Sequence, residues 1–271
     1  MKIRIIFIAL VLIIAGSAVF ADEFELKTIN NEMAILRSEG KLEQALELAK
    51  KSLQLAEELY KVDHLTIAQS LNNLAILYKD MGQYEEALPL YRRSLVMREG
   101  LLGLNDPSVA IVLNNLAVVY SKMGNYENAV LYANRAIDIL KFSRGVEHRD
   151  VAMATSNLAE FYKEQRLYDD AEKLYTQSLT MMTDLRGKKH ADVATSLNNL
   201  GQLYLVQGKF KEAEPLLLES IDIFTKTLGP GHNRVHRLYM TMAELYARSG
   251  NMDKSKEYLD NAAKWLQENQ Q

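Results

Sequence analysis

The chain of 271 residues contains no cysteine. Disulfides, thiolate zinc sites and cysteine nucleophiles are therefore excluded. Proline is scarce, at four residues, and glycine supplies only thirteen. So few breaks favour long helices over many short strands. Neither sign of charge dominates, with 32 Lys and Arg against 35 Asp and Glu and a formal net charge of −3. That balance argues against a broad basic surface and hence against a nucleic-acid partner. No G-x-S-x-G, H-E-x-x-H, Walker-type or dinucleotide glycine pattern occurs, so no enzymatic activity, cofactor or metal site is expected. What is present is 48% hydrophobic and 25% charged, the balance of a folded chain rather than a disordered or collagen-like one.

The first residues follow an order with a physical meaning. Lys2 and Arg4 precede an apolar run from Ile5 to Ala15, then Gly16, Ser17, Ala18, Val19, Phe20 and Ala21, then Asp22 and Glu23. Residues 1–21 read as a secretory signal peptide with cleavage after Ala21. The run is too short for a spanning helix, which wants roughly 20 apolar residues. Membrane association is expected only if the segment stays uncleaved. With no cysteine after the run, a lipoprotein anchor is excluded. The expected location is exported, in a bacterial periplasm or outside the cell.

The remainder, 22–271, is one unit repeated. Leu71-Asn72-Asn73-Leu74-Ala75 recurs as Leu113-Asn114-Asn115-Leu116-Ala117, as Thr155-Ser156-Asn157-Leu158-Ala159 and as Leu197-Asn198-Asn199-Leu200-Gly201, each step being 42 residues. Gly40, Gly82, Gly124, Gly208 and Gly250 keep the same register, with Arg166 in the remaining place. So do Ala45, Ala87, Ala129, Ala171 and Ala213, and the tyrosines at 78, 120, 162, 204 and 246. Each unit reads as two antiparallel helices. In the third, Asp106 and Pro107 start a helix, Leu113, Leu116, Ala117 and Tyr120 make its apolar stripe, and Gly124 with Asn125 ends it. Ala117 and Ala129 are expected to meet where the two helices cross. One hairpin cannot bury its stripe, so successive hairpins must stack. The expectation is an all-α solenoid, a right-handed superhelix of about six repeats over 24–60, 64–101, 106–143, 148–185, 190–227 and 232–268. The helix from about Asp253 to Asn269 is expected to close it with a polar outer face.

The spacing of Leu, Ala, Tyr, Gly, Tyr and Ala resembles the tetratricopeptide repeat. The 42-residue period, the L-N-N-L-A segment and the linkers at Asp106-Pro107-Ser108-Val109-Ala110 and His190-Ala191-Asp192-Val193-Ala194 resemble the kinesin-light-chain type of that repeat. The match is weakest at the ends, where Glu32, Met33 and Thr241 depart from it. The resemblance implies a scaffold that binds a protein or peptide partner.

Asn31, Asn73, Asn115, Asn157 and Asn199 stand 42 apart. On a helical wheel Asn73 points roughly 150° from the centre of its stripe. The five amides are expected to form a ladder on an inner groove, where a carboxamide can both donate to and accept from an extended peptide backbone. In the family it resembles, matching asparagines hold bound peptide. The competing reading is that each amide bridges neighbouring helices. Asn72, Asn114 and Asn198, with Ser156, occupy positions where a carboxylate clamp would need bases, and join the expected binding set. Gln69, Ile76, Lys79, Ile111, Val118 and Lys122 should line the earlier wall, and Glu160, Lys163, Gln202, Glu244 and Arg248 the later one. The alternative function is a structural subunit of an envelope assembly, packing through its convex face or its ends. End stacking would allow a homo-oligomer.

Histidines 64, 148, 190 and 232 share one register, with Asp106 in the vacant place. Interchange of His with Asp points to helix capping. Equivalent atoms one layer apart lie about 10 Å from each other, too far to share one metal ion. The tyrosine series is expected to pack in the core.

Overall fold

The computed structural model describes residues 22–269. The signal-peptide reading of residues 1–21 lies outside the described residues. Twelve helices and no strand occur among the described residues: α1 (22–38), α2 (Leu42–Leu59), α3 (Leu65–Asp80), α4 (Tyr84–Leu102), α5 (Pro107–Lys122), α6 (Tyr126–Arg144), α7 (Arg149–Glu164), α8 (Tyr168–Arg186), α9 (Ala191–Val206), α10 (Phe210–Leu228), α11 (Asn233–Arg248) and α12 (Met252–Asn269). The odd-numbered helices are the first arms of six hairpins and the even-numbered helices the second arms. The described residues form two compact units, 22–132 and 133–269. In the first, α3 packs on α2, α4 and α5, and α4 also packs on α5. In the second, each helix from α7 to α12 packs on the next, and α9 also touches α7 and α11. None of the described helices is long and apolar enough to cross a membrane.

Helix starts follow from the histidine register. His64, His148, His190 and His232 each hold an extended backbone, and each Nδ1 accepts from the N–H two residues on, at 3.1–3.2 Å. Asp106 does the same for Ser108 N–H at 2.8 Å. The imidazole thus serves as the side-chain acceptor that the first turn lacks. His190→Ala should cost about 1 kcal/mol in urea unfolding, while His190→Asp should cost little, because the acceptor is kept.

Helix ends obey geometry more strictly than residue type. Gly82 has φ +76°, and Gln83 N–H reaches back to Tyr78 O at 2.8 Å. Arg166 holds φ +62° in the same place, with Leu167 N–H on Tyr162 O at 2.9 Å. The turn forms even where glycine is missing, against the left-handed penalty of an L-residue.

Small residues fill the crossing within the third, fourth and fifth hairpins. Ala117, Ala129, Ala159, Ala171 and Ala213 are all fully buried. In α9 the place is taken by Gly201, where an added methyl would lie 2.9 Å from Leu217 Cγ and Cδ2. A further series escaped the sequence reading. Ser94, Ser178 and Ser220 are buried on second-arm helices, and each donates to a first-arm carbonyl of its own hairpin: Ala68, Ala152 and Ala194, at 2.6–2.8 Å. Each bond satisfies a hydroxyl that the dry interior would otherwise strand.

The tyrosines only partly match the expected core packing. Tyr120 and Tyr246 are buried, but Tyr78, Tyr162 and Tyr204 are half-exposed. Two hydroxyls of the series reach the preceding hairpin: Tyr204 donates to Glu172 Oε1 at 2.9 Å, and Tyr246 to Glu214 Oε1 at 2.5 Å. Burial, reinforced by the Glu172 bond, pushes the Tyr204 phenol up to about 12; burial with the Glu214 bond raises Tyr246 as well. A phenol that ionises later in the folded chain than in the unfolded one stabilises below the ordinary tyrosine pKa of about 10. That stability is lost as pH rises from about 10 through the folded value. Alkaline unfolding should therefore steepen above about pH 10, and Tyr204→Phe should flatten the decline, as read by the thermal midpoint against pH.

The two ends differ in character. At the positions where α9 carries Val193 and Leu200, both buried, α1 carries Glu25 and Glu32, both exposed. Met33 is nonetheless buried against α2. On α12 the expected polar face is present in Lys254, Lys256, Glu257, Asp260 and Lys264, but Met252 and Leu259 are exposed beside them.

Candidate functional site

The first-arm helices of the second unit, α7, α9 and α11, form a wall that carries two adjoining crevices. One, of about 160 Å³, is bordered by Arg149, Met153, Ser156, Asn157, Asp192 and Asn199. The other, of about 260 Å³, is bordered by Thr195, Asn198, Asn199, Gln202, Arg234 and Arg237, with Phe224 at its base. Thr195, Asn199 and Arg234 belong to both. Asn157, Asn198 and Asn199 of the expected binding set therefore come together on one surface.

The amides do not all stand free. Asn199 Nδ2 donates to Ser156 Oγ on α7 at 3.0 Å. In the first unit, Asn115 Nδ2 donates to Asn72 Oδ1 on α3 at 3.3 Å. These bonds tie consecutive first-arm helices, as the competing reading held. A carboxamide offers two N–H groups and an acceptor oxygen, so a single lateral bond leaves capacity for a ligand. Asn198 Oδ1 accepts from Gln202 Nε2 at 3.2 Å. Asn73 Oδ1 accepts from Gln69 Nε2 at 2.8 Å, and Gln69 Oε1 in turn accepts from the buried Arg98 at 2.8 Å.

One expected residue leaves the set. Asn72 is 4% exposed, with its oxygen given to Asn115. Its neighbour Asn73 is half-exposed; the 100° turn between the two carries Asn72 into the seam between helices. Asn31 is exposed, and Asn114, Ile76 and Val118 are half-buried. Lys79 pairs with Asp80 at 3.4 Å and Lys163 with Glu160 at 2.7 Å. The side chains of Arg149, Arg234 and Arg237 were missed. Arg237 and Met153 share the register of Gln69 and could have been found by stepping on from it.

The charges of the wall are unevenly paired. Arg149 reaches Asp192 with two bonds, Nε at 2.7 Å and Nη2 at 3.2 Å. That hydrogen-bonded guanidinium holds the Asp192 carboxyl below the usual carboxylate range. Among the described residues no group of three or more His, Cys, Asp or Glu is placed to hold a metal ion.

Hairpins of this period, closed by left-handed turns and crossing on small residues, define a helical-repeat scaffold. Tetratricopeptide-repeat patterns match residues 27–99, 66–141 and 150–226, and a second such pattern matches 236–267. The chain belongs to the tetratricopeptide repeat family. No curated protein matches it. Among solved structures, BtubC (BKLC) from P. vanneervenii is similar at 24% identity, over 83% of this chain and 90% of that one, with a TM-score of 0.68. A putative kinesin light chain of Podosopora anserina is similar at 23% identity, over 78% of this chain and all of that one, with a TM-score of 0.62. The Rap conjugation gene regulator of plasmid pLS20, solved with the Phr* peptide, is similar at 12% identity, over 90% of this chain and 75% of that one, with a TM-score of 0.64. These likenesses show the fold.

Proposed function

We propose that the protein is an exported, non-enzymatic scaffold that binds an extended peptide segment of a partner along the α7–α9–α11 wall. The observation that carries this reading is the pair of adjoining crevices sharing Asn199, whose amide keeps one N–H and its oxygen beyond the bond to Ser156. Consecutive first-arm helices stand roughly 8–10 Å apart, and an extended chain rises about 3.3 Å per residue. One carboxamide thus meets about every third residue and holds backbone without reading side chains. The order of residues 2–23 supports export. The slight excess of acidic residues supports a protein rather than a nucleic-acid partner. The Rap regulator of plasmid pLS20, similar in fold, was solved in complex with the Phr* peptide, which supports the same use here.

The test is binding of randomised, fluorescein-labelled nonapeptides to the purified protein, followed by anisotropy. Asn157→Ala combined with Asn199→Ala should weaken binding by about 1–3 kcal/mol, at roughly 0.5–1.5 for each amide. The thermal midpoint should move little. Equal binding by the double variant and the native protein would sink the groove reading.

A further inference from the structure

The second-arm side of the second unit carries a cleft that shares no residue with the wall. Its volume is about 410 Å³, and it is lined by Val146 and Glu147 of the α6–α7 loop together with a stripe of α8. That size lies within the roughly 300–1,000 Å³ of ligand clefts. The stripe consists of two runs in steps of four, at 176, 180 and 184 and at 177, 181 and 185, which share one face of the helix. Tyr175, Ser178 and Met182 of α8 are buried. Met181 is only half-buried, whereas Met97, Ile139 and Ile223 in the same register of α4, α6 and α10 are each 4% exposed. Val146 and Leu185 are exposed beside it. The matching stripe of α10 carries Glu219, Asp222 and Lys226, the last two paired at 2.7 Å, while that of α8 carries Asp184 as its one charge. Asp184 and Glu147 have no cation within ion-pair distance among the described residues, and the lining includes no Lys or Arg. The cations next in the chain are engaged elsewhere, Arg144 with Asp150 at 3.3 Å and Arg186 with Asp192 at 3.9 Å. Lys188 and Lys189, further on, do not border the cleft.

We propose that this cleft is a second docking site, which takes an extended partner segment carrying one large apolar side chain between two basic ones. The inference is independent of the groove reading, since neither crevice of the wall shares a residue with it. Val146, Met181 and Leu185 offer apolar surface at the solvent boundary, and covering it contributes to binding in proportion to area. The flexible thioether of Met181 suits side chains of differing shape. Glu147 and Asp184 select what flanks that anchor: a basic residue answers a carboxylate that the chain leaves unanswered, and an acidic one is repelled. Exposed pairs of this kind set partner choice more than affinity, so the apolar anchor carries most of the binding. Alternate side chains of an extended segment share a face. An anchor with Lys or Arg two places to either side therefore presents all three to the cleft.

Fluorescein-labelled, amidated nonapeptides test this by anisotropy against the full chain. Salt is held at about 0.15 M, where exposed charges beyond about 8 Å are screened. The first peptide is G-S-K-S-F-S-K-S-G, the second replaces both Lys by Gln, and the third replaces Phe by Ala. The first should bind about fivefold more tightly than the second and about tenfold or more tightly than the third. In Glu147→Gln/Asp184→Asn, changed at two exposed positions, the preference for Lys should fall below about twofold, with the Gln peptide bound as by the native protein. In Asn157→Ala/Asn199→Ala the preference should persist. The methyl resonance of Met181, identified by its loss in Met181→Leu, should move as the first peptide is added. Equal binding of the Lys and Gln peptides by the native protein would overturn the site. A preference that survives Glu147→Gln/Asp184→Asn would overturn it too, by tracing the effect to the chain's overall acidity. So would a preference lost in Asn157→Ala/Asn199→Ala, which would give the binding to the wall and leave the groove standing. A Met181 resonance that stays still at saturating peptide, or no binding of the first peptide at all, would also sink the site without touching the groove, whose own test uses randomised peptides.

Discussion

Leu217→Ala should destabilise the second unit by about 2–5 kcal/mol, the range for emptying a well-packed leucine site. Leu217 is fully buried in the cluster that includes Leu238, Met242 and Ala213. Its side chain also sets the sign of a second substitution. Gly201→Ala in the native protein would put a methyl 2.9 Å from Leu217 Cγ and Cδ2. Overpacking of that kind costs about 1–3 kcal/mol, more than the roughly 1 kcal/mol that alanine contributes over glycine inside a helix. In the Leu217→Ala background the collision is gone, the methyl fills part of the void, and the helix preference is kept. Gly201→Ala should then be stabilising. Urea unfolding of the two single variants and the double would show a coupling of at least about 1 kcal/mol. Additive effects would mean that α9 and α10 do not meet at this point.

Arg98→Met should raise stability by about 1–3 kcal/mol. Arg98 is 7% exposed on α4, and its bonds go to Gln69 Oε1 and, at 3.4 Å, to Ser94 Oγ. Neither partner carries charge, and burial pushes the guanidinium down from its usual range. The equivalent places on α2, α6, α8 and α10 hold Ala56, Leu140, Met182 and Phe224, all buried and apolar. Methionine keeps most of the stem's packing and removes the cost of desolvating the charge. Gln69 is exposed, so water can take the arginine's place on its oxygen. The thermal midpoint should rise by several degrees, at roughly 2–4 °C per kcal/mol for a chain of this size. A fall would show that the bond to Gln69 outweighs the desolvation of the guanidinium.

The register was legible in the sequence because several residue types share one spacing. The capping role of His190 could be read from its interchange with Asp106, since both supply an acceptor to the same first turn. The lateral order of the wall could not. Arg37 reaches Asp80, Asn115 reaches Asn72, Arg149 reaches Asp192 and Asn199 reaches Ser156, and every one of these pairs is 43 residues apart. A search in steps of 42 aligns equivalent residues, whereas the side chains that touch lie one residue further on. A helical wheel drawn for one helix carries no neighbour, so it separates core from surface but not an open amide from one spent on the next helix. That is why Asn72 and Asn73 looked alike. Arg234 was hidden for a related reason: Asp150 and Asp192 hold its register, and a charge reversal at the last step is invisible to a reading built on similarity.

The unlike ends of the stack bear on self-assembly. A second copy docking head to tail would press Glu25 and Glu32 of α1 against the apolar surface that includes Met252 and Leu259 of α12. Glu25 already answers Lys51 at 2.7 Å, and stripping water from such carboxylates costs several kcal/mol each. Runaway growth into filaments, the hazard of any repeat whose two termini are complementary, is thereby penalised by two glutamates on a single helix.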